Sequence, residues 1–465
     1  MKHWQKILQW LDDRTGLGAL VRPLLEHPVP HDAKWWYVFG SATLFAFLVQ
    51  VSTGIALATN YAPTAGQAYD SLRYITEVAP FGRLLRGMHY FGASAMVLLL
   101  VIHMTRVFLM AAYKFPRELN WVSGVVLLGL TLLMGFSGQL LRWDQNAVWS
   151  AVVGAAQAAR APVIGHWLAQ VVLAGDNVSS ATLGHIFTLH VFILPLALVA
   201  VVGLHLHLVL FHGISEPPVA GRPVHAASYR AWYRALLERK GVPFWPNAAW
   251  RDLCFGSLVV VGICVLAWAC GPPALDRPAD PTLVEANPAP DWYLLWYFAV
   301  LALLPPRAED AVMLLAPLLG ALALFGVPFV NHQGERHWRR RPWAVLLVLF
   351  LATGLGVLWS AGVRKEWTPK FDVQPLTEKI IGATGGPVRE GGGVFNSKGC
   401  LYCHAIAGCG GTRGPDLTDV GDRLDRDQLV IRVLQGGANM PAYADNLTPA
   451  QCEALIAFLR TRTSP

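Results

Sequence analysis

The sequence predicts an all-α chain: a polytopic bundle of seven membrane-crossing helices followed by a small, polar all-α domain. Three observations carry that expectation. Hydrophobic residues make up 54% of the chain and charged residues only 14%, where soluble proteins average about 25% charged. Seven apolar stretches approach the ~20 residues needed to cross the hydrocarbon of a bilayer. Beyond the last of them, a polar, glycine-containing tail carries C-x-x-C-H at Cys400, Cys403 and His404.

The N-terminal stretch MKHWQKILQWLDDRTG is amphipathic and lacks the apolar core of a cleavable signal. The first span is therefore expected to act as its own targeting signal. The spans fall at residues 35–58, 88–110, 121–141, 183–211, 253–270, 309–330 and 343–363. An apolar stretch at 292–304 is too short to cross, ends in Pro305-Pro306, and reads as a partly embedded connector. Basic residues gather on cytoplasmic loops. Lys114 and Arg117 follow the second span. Arg222, Arg230, Arg234, Arg239, Lys240 and Arg251 follow the fourth, and Arg336, Arg339, Arg340 and Arg341 follow the sixth. These loops, and with them the N-terminus, belong inside; seven crossings then leave the C-x-x-C-H region outside. The expected location is a bacterial inner membrane with the tail in the periplasm. The net charge of +7 is accounted for by these loops, and nothing in the sequence points to nucleic acid.

The second span carries His89 and His103, 14 residues apart, and the fourth carries His190 and His205, 15 apart. At 100° and 1.5 Å per residue, each pair lies near one face of its helix, roughly 21 and 22 Å apart along the axis. One intramembrane histidine is commonly a hydrogen-bonded core residue. Four in matched pairs are costly in hydrocarbon and point to function: two haems stacked across the membrane, each iron taking one imidazole from each helix. His207 is expected to face away and His212 to lie at the inner interface. Gly40 and Gly54 on the first span, and Gly124 and Gly138 on the third, repeat the 14-residue spacing. Such glycines are expected to give clearance to the edges of two macrocycles. Arg86 and Arg106 each lie three residues beyond a histidine toward water, suitably placed to pair haem propionates.

These residues, with the stretches FLVQVSTGIALATNY, RGMHYFGASAMVLLLVIHMTR, FPRELNWVSGVVLL, GQLLRWDQNAVWS, APVIGHWLAQ, LHVFILPLALV and PDWYLLWYF, resemble the cytochrome b subunit of the cytochrome bc / cytochrome bf family over residues 1–365. The longer His190–His205 gap and the seven spans look like the chloroplast and Bacillus-type branch, whose four-helix and three-helix portions are usually separate chains; here they are joined. Pro290, Asp291, Trp292 and Tyr293 resemble the family's PEWY motif at the outer quinol site. The resemblance implies that Asp291 accepts a proton from quinol and that Tyr293 hydrogen-bonds the ring, with an arm one methylene shorter than glutamate's. Arg251 and Asp252 resemble the basic–acidic pair of the inner quinone site, to which His212 is added. Two departures stand out. Val38 occupies the position of the cysteine that holds an extra inner-face haem in the bf branch, so that covalent haem is expected to be absent. Leu210 and Phe211 replace a basic pair after the fourth-span histidine.

Residues 366–385 read as a tether and 386–465 resemble a small class I cytochrome c. The resemblance implies thioether bonds from Cys400 and Cys403 to a haem c, with His404 and Met440 as iron ligands and Pro415 positioning the His404 ring. A Cys409–Cys452 disulfide is left open, and Cys254, Cys264 and Cys270 read as packing residues.

The expected organisation is a dihaem four-helix domain (1–215), a three-helix domain with the PDWY motif (216–365), the tether and the cytochrome c domain. The expected activity is quinol oxidation at the outer site, one electron passing to a Rieske iron–sulfur protein on a separate subunit and the other to the two b haems, with protons moved across the membrane. The cytochrome c domain would pass electrons to a further cytochrome c or a terminal oxidase. The family implies a homodimer embedded in membrane lipid. The rival enzyme is a dihaem quinone oxidoreductase without electron bifurcation, and a non-enzymatic rival is a haem-bearing redox sensor.

Overall fold

The computed structural model describes residues 2–175, 178–279, 289–364, 373–411, 414–436, 440, 443–444 and 446–464. Among them, seven helices are long and apolar enough to cross a membrane: Phe39–Ala58, Gly82–Leu109, Glu118–Leu140, Ser180–His212, Ala249–Cys270, Ala311–Val330 and Pro342–Arg364. We number these spans one to seven. The connector is present as a short apolar helix, Trp292–Leu303, and packs against span seven. Span two begins six residues before the expected start, at Gly82, because the polar turn GRLLRG continues the helix into the interface. Span four begins at a capping box in which the Ser179 and Thr182 side chains satisfy each other's backbone N–H groups.

Span four is not a uniform α-helix. Residues Leu189–Ile193 form a π-helical turn, directly ahead of Pro195. Proline offers no N–H to the carbonyl four residues back and its ring presses on that carbonyl, so the helix widens there. A π turn absorbs one extra residue. This helps His190 and His205, 15 apart, match a partner helix whose histidines are 14 apart: on a straight helix the 15-residue gap leaves its two imidazoles about 60° apart around the axis, and the 14-residue gap about 40° apart in the opposite sense.

Spans one and two pack side by side with span five across both, and span four packs on span three. Ala42, Ala46, Phe47, Met96, Leu99, Leu198 and Ile263 form the apolar core between the first, second, fourth and fifth spans. Two helices, Gln145–Ala159 and Gly165–Leu173, form a hairpin between spans three and four. The fully buried Asp144 caps the first of them, accepting from the Ala147 N–H at 2.9 Å.

Four of the basic loop residues, Lys114, Arg117, Arg336 and Arg341, are buried, while Arg222, Arg230, Arg234, Arg239, Lys240, Arg339 and Arg340 are exposed. Arg341 donates to the Phe108 and Leu109 carbonyls, the last of span two, at 3.1 and 3.2 Å. Arg117 donates to the His212 and Gly213 carbonyls ending span four, at 3.2 and 2.9 Å. Lys114 reaches Asn331 at 2.5 Å, just past span six, and the Gln333 carbonyl. Arg336 pairs with Glu216. Helix C-termini carry partial negative charge and unsatisfied carbonyls. Cations at the ends of spans two, four and six therefore fasten the first four spans to the last three.

The C-terminal domain folds around its own core. Helices Gly386–Ser397 and Pro449–Arg460 pack together, with the Phe395 and Phe458 rings 5.7 Å apart. Helix Arg426–Gln435 lies against the second of these. Capping boxes, Asp425 with Gln428 and Thr448 with Gln451, start the last two helices.

Candidate haem and quinol sites

His89 and His190 face each other with ring centroids 6.3 Å apart. Each imidazole is held from behind. Thr53 Oγ1 donates to the Val49 carbonyl at 2.6 Å, so its lone pair accepts the Nδ1–H of His89 at 2.9 Å. Ser137 Oγ donates to the Leu133 carbonyl at 2.8 Å and accepts from His190 Nδ1 at 2.9 Å. Ser123 treats His205 the same way, at 2.9 Å to the Leu119 carbonyl and 2.8 Å to Nδ1. With Nδ1 carrying the proton, Nε2 presents its lone pair. These three hydroxyls were not singled out from the sequence, yet each immediately precedes one of the spaced glycines: Thr53-Gly54, Ser123-Gly124 and Ser137-Gly138. The fourth glycine, Gly40, follows Phe39.

The glycines pair one to one with the histidines. A Cβ on Gly40 would lie 3.0 Å from His103 Cε1, on Gly54 3.3 Å from His89, on Gly124 3.8 Å from His205, and on Gly138 2.8 Å from His190. The clearance expected for macrocycle edges is thus also clearance for the imidazoles that would hold them. A side chain at Gly138 or Gly40 would push its ring off the axis of the pair. Arg86 is buried and donates to Thr76 Oγ1 at 3.0 Å and to the Pro273 carbonyl at 2.9 Å. Arg106 donates to the Trp36 carbonyl at 3.1 Å and lies 3.7 Å above the Tyr37 ring.

Span three also positions the PDWY segment. The Tyr293 ring and hydroxyl sit against Gly135, where a Cβ would collide with them. Gln139 Nε2 donates to the Ala289 carbonyl at 3.0 Å, and the Ala289 N–H donates to Asn146 Oδ1 at 3.0 Å. Pro290 follows this anchored residue. Tyr293 donates its hydroxyl to Asp291 Oδ2 at 3.0 Å, and Trp292 Nε1 donates to Ser94 Oγ at 3.2 Å. Burial pushes the Asp291 carboxyl above its usual range, against the opposing pull of the Tyr293 hydrogen bond and the Arg142 charge. Gly135 and Gly138 are three residues apart on one helix, so the Asp291–Tyr293 pair adjoins the His89–His190 pair.

At the other end, Asp252 lies near Ser41, beside the Gly40 that faces His103, and Arg251 donates to the Ala33 carbonyl at 2.8 Å. These two residues therefore lie by the second histidine pair. His212 has other neighbours: its electrostatic partners are Arg117, Arg230 and His207. Leu210 and Phe211 are both exposed, Val38 is buried at the start of span one, and His207 is exposed.

In the C-terminal domain, His404 Nδ1 donates to the Pro415 carbonyl at 2.8 Å, again leaving Nε2 presented. A Cβ on Gly414 would lie 2.5 Å from the His404 ring. Cys400 and Met440 pack against the domain core, and Cys403 follows the single turn Cys400–Tyr402. Cys409 and Cys452 are separate thiols.

Residues 24–214 match the family described as Cytochrome b/b6/petB, and residues 278–376 match Cytochrome b(C-terminal)/b6/petD. Cytochrome b6 of Heliobacterium mobile is 39% identical over 212 residues, 45% of this chain and 100% of that protein. The chain belongs to the cytochrome b family. This cytochrome b carries a second module: residues 386–459 match Cytochrome C oxidase, cbb3-type, subunit III. The menaquinol:cytochrome c reductase cytochrome b subunit of Bacillus subtilis (strain 168) is 38% identical over 221 residues, 46% of this chain and 98% of its own. A solved structure described as Hyperthermophilic respiratory Complex III aligns with TM-score 0.64 and 27% identity, covering 84% of this chain and 96% of that one. The protein is thus a multi-pass membrane cytochrome of b and c type.

The residues present fit such groups. A metal–imidazole bond is about 2 Å, and two such bonds end to end, plus the distance from each nitrogen to its ring centre, account for the 6.3 Å between the His89 and His190 rings. Hydrogen-bonded hydroxyls behind metal-ligating histidines raise ligand basicity. If His190 is a haem ligand, Ser137→Ala is expected to raise the potential of that b haem, by roughly 20–60 mV from the worth of one hydrogen bond, as read in a redox titration of the b bands. An unchanged potential would mean the hydroxyl serves packing alone.

Proposed function

We propose that this chain is the cytochrome b–c fusion subunit of a quinol:cytochrome c reductase that oxidises quinol at the outer PDWY site. The observation that carries the proposal is the half-buried Asp291–Tyr293 pair set against span three, one helical turn from the residues that hold His190. Quinol sheds two protons as two electrons leave, so a carboxylate that is desolvated and close to the outer surface is suited to take one of them. Tyr293 orients that carboxylate, and the anchored Ala289 fixes the segment. When bound, two b haems on His89/His190 and His103/His205, and one c haem on Cys400, Cys403, His404 and Met440, supply one-electron carriers inward across the membrane and outward from it.

In this reading quinol gives one electron to a Rieske iron–sulfur partner on a separate subunit and one to the transmembrane pair of sites, and protons are moved across the membrane. Arg251 and Asp252 serve the inner quinone site, with His212 at its margin. Arg86 and Arg106 would pair the propionates of such haems. The N-terminus lies in the cytoplasm of a bacterium and the cytochrome c domain outside the inner membrane, delivering electrons to a cytochrome c or an oxidase. The functional units divide at 215/216, 365/366 and 385/386, with Leu376 and Ile381 of the 366–385 tether packed into the cytochrome c core, and the complex is a homodimer. Pyridine haemochrome analysis of the purified chain tests the cofactor set: two b haems for each c haem are expected, and a ratio of one to one would remove one histidine pair from the account.

A further inference from the structure

In the C-terminal domain the segment carrying His404 and the segment carrying Pro415 are stitched together in register. The Gly414 N–H donates to the Cys403 carbonyl at 2.7 Å, His404 Nδ1 to the Pro415 carbonyl at 2.8 Å, and the Leu417 N–H to the Ala405 carbonyl at 2.8 Å. The next tie is made by a side chain: the Ala407 N–H donates to Thr418 Oγ1 at 2.8 Å. Thr418 in turn donates its hydroxyl and its N–H to Asp416 Oδ1, the N–H at 2.8 Å. Arg423 donates to the Asp416 carbonyl and pairs with Asp419 at 3.0 Å. Leu417 packs on the domain core, whereas Ala407, Asp416 and Thr418 are exposed. Hydrogen bonds rather than packing therefore fix this corner. The corner is also strained. Ala407 has φ +53° and Gly408 +75° in the turn that joins Ala405–Ile406 to Cys409–Gly410. Left-handed backbone is costly for alanine, and such strain persists where the surroundings over-determine it.

We propose that Thr418 is a positioning residue for the c-type site: by joining Ala407 to Asp416 it fixes the Pro415 carbonyl on His404 Nδ1, and so sets the ligand strength of the His404 imidazole. The inference rests on the reading of His404 as a haem c ligand given above. Pro415 has no N–H of its own, so its carbonyl is aimed by the ties of its two neighbours. Gly414 is tied to Cys403, and Asp416 is tied through Thr418 to Ala407, three residues beyond His404. A hydrogen bond accepted from Nδ1–H raises the basicity of Nε2. A more basic ligand favours the oxidised metal, so a loosened Pro415 carbonyl raises the potential of the site.

The test is a redox titration of the c band in membranes holding the full chain, for the wild type, Thr418→Val, Thr418→Ser and Asp416→Ala. Valine keeps the shape of threonine and loses both hydroxyl bonds. At one fixed ambient potential, Thr418→Val is expected to raise the ratio of reduced to oxidised haem c by about two- to tenfold, the worth of one hydrogen bond. Thr418→Ser should restore the wild-type ratio. Asp416→Ala, which removes the acceptor of the hydroxyl, should move the ratio in the same direction as valine. The b bands should not respond in any variant. A wild-type ratio in both Thr418→Val and Asp416→Ala, even with the c band lost at a lower temperature on heating, would overturn the assignment and leave Thr418 a role in the stability of the turn. A ratio that rises equally in Thr418→Val and Thr418→Ser would overturn it too, because the hydroxyl would then be irrelevant. A wild-type chain with no covalent c haem places the failure instead with the reading on which the inference rests.

Discussion

Replacing His190 with leucine is expected to remove one b haem and to lower quinol oxidation more than 100-fold, while the c haem remains. The two halves of that result have separate causes. His190 and His89 form one facing pair, and neither ring has a substitute donor at that place. Residues that merely support a metal ligand are worth about 10–100-fold, so losing the ligand itself costs more. The c site depends on a different core, built by Phe395, Phe458 and their neighbours. The measurement is the pyridine haemochrome ratio, which should fall from two b per c to one, alongside turnover of the complex. Retention of both b haems would mean that His190 is not a ligand.

Asp291→Asn is expected to slow quinol oxidation by about 10²–10⁴-fold, the range for loss of a general base, with the b and c bands unchanged. Asparagine keeps the hydrogen bond from Tyr293 but cannot take a proton. Burial raises the Asp291 carboxyl, so in the wild type the rate should fall with acid through a pH above the usual carboxylate value near 4. Below that pH the group already holds a proton and cannot accept another. Asp291→Glu, which lengthens the arm by one methylene, should keep the acidic limb and most of the rate. Full activity in Asp291→Asn would place the proton acceptor elsewhere.

Much of this was legible in the sequence because membrane helices follow simple rules. Length and apolarity located all seven spans, with the clearest difference at Gly82, where a polar interfacial turn extends span two. Matched spacing of His89, His103, His190 and His205 exposed the paired sites. The π turn was not legible from periodicity, since a helical-wheel argument assumes a constant 3.6 residues per turn. Its signal was the odd 15-residue gap combined with Pro195. The hydroxyls of Thr53, Ser123 and Ser137 were visible as a small polar residue before each of three spaced glycines, but only the structure turns them toward Nδ1. Loop cations were read only for sidedness; Lys114, Arg117, Arg336 and Arg341 are buried, because helix C-termini and Glu216 give them partners that no local pattern displays.

The central claim is that quinol at the PDWY site splits its electrons between an outward chain ending in the fused cytochrome c and an inward chain of b haems. It is tested most directly by an oxidant pulse given to quinol-reduced membranes with the inner quinone site blocked, following the b and c bands together. The account predicts that haem b becomes reduced as haem c becomes oxidised. Haem b that only oxidises, or does not respond, would contradict it and leave a dihaem quinone oxidoreductase with an attached cytochrome c.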